Sequence, residues 1–172
     1  MLFRSVHLDE NLKLLTGVKE DVWQKDERWT KENVEKFVLL LQRFAKDTYF
    51  DDFYKDNANL YDETVKRFTP IFEQIDLNWF STFYGQWPTE TFSIIIGAGN
   101  GTGNYGPSIN YTDGSRNVYA IIAGVSEYHP FAWLIIIHEF NHSFVNCLID
   151  KNYGSISGKW REDIFKYKRC IG

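Results

Sequence analysis

The chain has 172 residues, of which 44% are hydrophobic and 17% aromatic, which excludes a disordered polymer and suits one domain with a real core. Nineteen basic and 23 acidic residues leave a formal net charge of -4 with no basic block, which argues against nucleic acid as the main partner. The two cysteines, Cys147 and Cys170, make neither a disulfide framework nor a Cys-x-x-Cys pair, so a thiolate zinc site is not expected.

Met1-Leu2-Phe3-Arg4 runs straight into mixed polar sequence, so no signal peptide is visible, and no apolar run approaches membrane-spanning length. A cytoplasmic protein is the default expectation; an exported one that has lost its leader would read the same. Leu2 to His7 alternates loosely and reads as a short strand. Asp9 to Thr16 reads as a short helix stopped by Gly17. Thr30 suits the N-cap of a long helix with Glu32 in its first turn, and Val34, Phe37, Val38, Leu41 and Phe44 form its apolar stripe. That pattern extends toward Tyr49 and Phe53. Asp47, Asp51, Asp52 and Asp56 lack the spacing and glycine of an EF-hand and read as a solvated face. From Asn59 a further helical pattern runs through Leu60, Val65, Phe68, Phe72 and Ile75, with Pro70 predicted to kink it, and Trp79, Phe80 and Phe83 carry it to Gly85. This aromatic-rich helical layer carries no recognisable chemistry.

The character changes at Trp87-Pro88. Thr91 to Ile96 and Asn117 to Ala123 have the β-branched, apolar composition of strands, with Asp113-Gly114 as a turn signal between them. Gly101-Thr102-Gly103-Asn104-Tyr105-Gly106 matches the dinucleotide fingerprint. That fingerprint needs a helix at once, to set its N-terminus against a pyrophosphate, whereas Pro107-Ser108-Ile109-Asn110-Tyr111 is no helix start. The segment reads as a loop between strands, crossing the surface or closing over a cleft.

The strongest signal is His138-Glu139-Phe140-Asn141-His142, an H-E-x-x-H stretch inside the apolar run from Pro130 to Ile149. On a helix, residues i and i+4 share one face, so both imidazoles can reach one metal ion, with Glu139 beside them to hold and deprotonate a water. Pro130 suits the first turn and Gly154 a stop. Ile135-Ile136-Ile137 and Phe144-Val145 make the helix apolar nearly all round, which predicts burial, and buried polar groups need a reason. His129 lies nine residues before His138, about 13 Å away along a continuous helix, too far to share the metal. It reads as a helix-start or surface histidine, and His7, without a partner by spacing, as structural. No Gly-x-Ser-x-Gly elbow is present, and Ser143 next to His142 makes no triad by adjacency.

A strand, a turn and then a helix carrying His138-Glu139-x-x-His142 resembles the zincin metallopeptidases. The stretch from His138 to Asn146, with Asn104-Tyr105-Gly106 upstream, looks more closely like a bacterial group of predicted zincins known only as a domain of unknown function. The similarity spans most of the chain, though only H-E-x-x-H is mechanistically specific. The resemblance implies His138 and His142 as Zn2+ ligands, Glu139 as general base, and a peptide or protein as substrate. It also implies that the strand before the helix forms the cleft edge where an extended peptide pairs, for which Asn117 to Ala123 is the candidate. The metzincin subclass, which continues with Gly and a third His, is excluded because no histidine follows His142. The gluzincin subclass takes a Glu from a following helix. Thirty residues follow His142, fewer than the C-terminal subdomain of such enzymes.

The fold expected is therefore α+β and zincin-like, a single domain over 1–172, lacking part of its C-terminal region if the gluzincin pattern holds. It would comprise an N-terminal helical layer, a small β-sheet and a buried H-E-x-x-H helix. The chemistry expected is hydrolysis of a peptide bond, with Tyr105, Tyr111 or Tyr153 as donor to the oxyanion. Glu162 is the candidate third ligand, twenty residues after His142, a spacing that gluzincins use. It lies on a short helical pattern from Lys159 to Arg169 with Trp160, Ile164 and Tyr167 on one face. A ligand beyond Gly172, Asp150, Asp163 or no third ligand stays open. Alternative functions are a non-catalytic or truncated zincin-like protein, or a module binding peptides or sugars through aromatic side chains. Oligomeric state has no signature in the sequence.

Overall fold

Thr30 starts the first regular element. In the computed structural model, which describes residues 6–19, 30–123 and 132–152, with side chains as far as Asn146, α1 spans Lys31–Asp47. The Thr30 hydroxyl accepts from the Asn33 N–H at 3.2 Å, satisfying one of the donors that a helix start leaves orphaned. Val34 and Val38 are buried and Leu41 is half-buried, but Phe37 and Phe44 of the same apolar pattern are exposed. The predicted continuation through Phe53 is broken at Tyr49, whose backbone turns left-handed at φ +53°, and α2 (Phe50–Asp56) starts afresh without a single buried residue. The third helix, α3 (Ala58–Phe72), buries Phe68 and Ile71, and α4 (Asn78–Tyr84) buries Phe80 and ends at Gly85. Pro70 falls in the last turn of α3, where its missing N–H removes a bond from the end of the helix and does not kink a longer one.

The helix predicted over Asp9 to Thr16 is absent. The Asp9 carboxylate accepts from the N–H groups of Asn11 at 2.9 Å and Lys13 at 2.8 Å, and Leu12 adopts φ +56°. This local side-chain bonding outcompetes the helical ladder and folds the segment into a turn bridged by Leu8 and Leu14. The chain then runs beside the sheet: the Thr112 N–H donates to Gly17 at 2.7 Å and the Lys19 N–H to Asn110 at 2.9 Å. The predicted strand from Leu2 lies largely outside the described residues.

Three strands form one sheet in the order β1 (Thr91–Gly97), β3 (Arg116–Ala123), β2 (Ser108–Asn110). β1 pairs parallel with β3 and β2 antiparallel. Asp113-Gly114 makes the β2–β3 turn, with Gly114 at φ +91° and the Asp113 carboxylate accepting from the Ser115 N–H at 2.8 Å. The antiparallel pairing continues beyond β2 in the same register: Tyr105 and Ile121 exchange both hydrogen bonds, at 2.9 and 2.8 Å, and the Tyr119 N–H reaches the Pro107 carbonyl. The glycine segment, expected as a loop between two strands, instead joins the sheet from Tyr105 onward.

β3 is the central strand, so Asn117 to Ala123 is not a cleft edge. Both its ladders are occupied, and the edges are β1 and β2. Val118, Ala120 and Ile122 alternate onto one face, where they meet Ala132, Ile136 and Phe140 of α5 (Ala132–Asn152), together with Phe68, Ile71 and Phe80 from the helical layer. The fold class is α+β, with a helical layer, a small sheet and a helix packed across it. α5 is not buried all round as its composition predicted. Among the described residues it is covered by the sheet and the helical layer, with Leu134 47% and Ile135 39% exposed. No helix among the described residues is long and apolar enough to cross a membrane.

Candidate metal centre

The apolar side of α5 fixes its rotation on the sheet, and that rotation decides where the motif points. Ile136, Phe140 and Ser143 face inward, so His138 and His142, one turn apart, lie on the open side. Their rings stand nearly perpendicular, at 85°, and their Nε2 atoms approach to 3.1 Å. Two nitrogens on a tetrahedral zinc ion would be about 3.4 Å apart, so the pair fits a shared ion with little adjustment. His138, Glu139 and His142 offer ligand atoms all within 4.8 Å of one another.

Glu139 is 6% exposed, and no described residue donates a hydrogen bond to its carboxylate. Removing a carboxylate partly from water favours its protonated form. Burial accordingly pushes its pKa above the usual value, against a smaller opposite effect from His142. Burial, assisted by His142, pushes the His138 pKa down. Both directions suit the site: a neutral imidazole keeps its lone pair for a metal, and a carboxylate of raised basicity is a better proton acceptor.

The helix is gripped on both flanks of the motif. On one side Gly106 lies against the main chain of Glu139, and the Ser143 hydroxyl donates to the Gly106 carbonyl at 3.3 Å. Arg116 of β3 donates to the Ser143 carbonyl and the Ser108 hydroxyl, lies 3.6 Å from Glu90, and stacks over Phe144 at 5.3 Å. On the other side the Tyr84 hydroxyl donates to the Asn141 side-chain oxygen at 2.8 Å, while the Asn141 amide donates back to the Ile137 carbonyl. One turn beyond His142, the Asn146 oxygen lies 3.5 Å from the imidazole Nδ1.

The structure brings together His138, Glu139 and His142. Glu162, Asp163, Tyr153, His129, Pro130 and Gly154 lie outside the described residues, as does the side chain of Asp150. Tyr105 and Tyr111 do not suit the role of oxyanion donor. Tyr105 pairs with Ile121, and the side chains of Ile121, Tyr119 and Asn117 point away from the face that carries Val118, Ala120 and α5. Tyr111 sits on that same far face, its hydroxyl 3.4 Å from the Asn117 amide. Burial lowers the pKa of His7, and its Nε2 has no partner among the described residues. The sequence assigned no role to Gly106, Arg116, Tyr84 or Asn146, although Gly106 and Asn146 lie in the stretches that carry the resemblance. Asn146 also had a signal of its own, its i+4 spacing from His142.

A family model described as a domain of unknown function (DUF4932) matches residues 8–169. The chain belongs to that family. No curated protein and no solved structure matches it.

Proposed function

We propose that this chain is a zinc-dependent peptidase in which His138 and His142 hold the ion and Glu139 is the general base. The observation that carries the reading is the convergence of the two Nε2 atoms beside the largely buried Glu139. A zinc ion held there supplies Lewis acidity toward a scissile carbonyl and an attacking water. Glu139 orients that water, accepts its proton as the oxygen adds to the carbonyl carbon, and returns the proton to the leaving amine nitrogen. His138 and His142 contribute as neutral donors, and the depressed pKa of His138 favours that form.

Asn110 and Thr112 already pair with Lys19 and Gly17, so a substrate strand would lie beside Gly106 and Ser108, at the part of that sheet edge nearest Glu139. That edge replaces the central β3 in this role. Glu162 remains the proposed third ligand.

A second reading, a metal-binding protein without turnover, draws support from the described ligand set, which includes two histidines and no third ligand besides Glu139. One experiment separates the two. Zinc-loaded wild type and Glu139→Gln are incubated with a broad peptide library. The peptidase reading predicts cleavage by the wild type and almost none by the variant, although the variant retains zinc. Equal cleavage by both, or none by the wild type, contradicts it.

A further inference from the structure

We infer that Asn146 is a positioning residue for His142, holding its imidazole in the Nδ1–H tautomer so that the Nε2 lone pair faces the metal. The inference rests on the reading of His138 and His142 as ligands, and it deepens that reading by assigning a residue outside the H-E-x-x-H motif to the same site. Two observations define the geometry. The Nε2 atoms of His138 and His142 converge to 3.1 Å, so the Nδ1 atom of His142 points away from the shared position. On that far side, at 3.5 Å, lies the Asn146 side-chain oxygen, an acceptor at the long end of hydrogen-bonding distance. An imidazole whose Nδ1–H is engaged by an oxygen presents an unprotonated Nε2, which is what a metal requires.

The choice of asparagine at this position is not explained by the helix. Asn is a poor helix former, and inside helices its side chain commonly bonds to the backbone one turn back or turns to solvent. Asn141 does the former, donating to Ile137. Asn146 makes no such bond among the described residues; it is half-buried, and its oxygen is turned to the imidazole. An i+4 step on α5 places it one turn past His142 on the same side, where a rigid helix fixes the approach. Asn146 touches neither the proposed ion nor a reacting atom and acts only through His142.

The test compares the wild-type chain, Asn146→Ala, Asn146→Asp and His138→Ala. Zinc affinity is measured by competition with a chromophoric chelator, and the tautomer of His142 by long-range nitrogen–proton NMR on metal-free protein. Asn146→Ala should weaken zinc binding by about 10–100-fold and mix the His142 tautomers, with the thermal midpoint of the metal-free protein little changed. Asn146→Asp keeps an acceptor oxygen and should restore both the affinity and the Nδ1–H tautomer. Unchanged affinity in Asn146→Ala, or an Asp variant as weak as the Ala variant, overturns the positioning role. In that case loss of zinc in His138→Ala leaves the metal reading standing. A wild type that binds no zinc overturns both.

Discussion

Gly106 at the sheet edge lies so close to the main-chain carbonyl of Glu139 that no β-carbon fits between them. This contact brings the β2 extension down onto the motif helix, and the Ser143 hydroxyl fastens it one turn further on. Sheet and helix therefore meet at the residue proposed to do the chemistry.

Gly106→Ala should consequently be felt both in stability and at the site. The added methyl must push the strand or the helix aside, and overpacking of this kind typically costs about 1–3 kcal/mol. Urea unfolding of the metal-free protein should show a lower midpoint at unchanged slope. A midpoint equal to that of wild type would mean that the close approach is absent in solution.

The buried Glu139 carboxyl makes a pH-dependent prediction. Burial raises its folded-state pKa above the ordinary glutamate value, so the folded chain binds this proton more tightly than the unfolded chain does. The resulting stability is complete below the unfolded value and is lost as the pH rises through the raised folded value. Glu139→Gln, which cannot ionise, should melt higher than wild type near neutrality in the presence of a chelator, and the gap should close as the pH falls. A gap independent of pH would contradict the assignment.

Much of this architecture is written locally. Thr30, Asp113-Gly114 and the alternation in Asn117 to Ala123 each specify structure through their own side chains. The i, i+4 spacing of the histidines likewise needed only a helix. What was hidden depends on partners distant in sequence. Pro107 masks the β2 extension because it cannot donate to a ladder, yet its carbonyl accepts from Tyr119. The central place of β3 follows from pairing with β1 and β2 together, which a strand's own composition does not encode. Tyr84 and Asn141 are 57 residues apart, and nothing in either segment announces their bond. The Asp9 turn is hidden because nothing in the sequence announces that the Asp9 carboxylate closes on the N–H groups of Asn11 and Lys13.

Tyr84→Phe removes the hydroxyl that donates to Asn141 and keeps the ring packed against Phe80 and Phe144. Loss of one such half-buried bond should destabilise the fold by about 0.5–1.5 kcal/mol. Denaturant melts of the metal-free protein measure this directly, and an unchanged midpoint would show that the bond contributes nothing.

Glu162 is open to the same affinity measurement as Asn146. As a direct ligand, its replacement by Gln should weaken zinc binding beyond the roughly 10–100-fold expected of an outer hydrogen-bond partner. Wild-type affinity in Glu162→Gln would remove it from the site and leave Asp150, Asp163 or an unidentified group as the further ligand.

The account stands or falls on the metal. Chelator-stripped wild type and His138→Ala are each reconstituted with zinc, passed over a desalting column and measured for metal content. A single site built on His138 and His142 predicts about one equivalent in the wild type and almost none in the variant. Far less than one equivalent in the wild type, or equal zinc in both proteins, would contradict it.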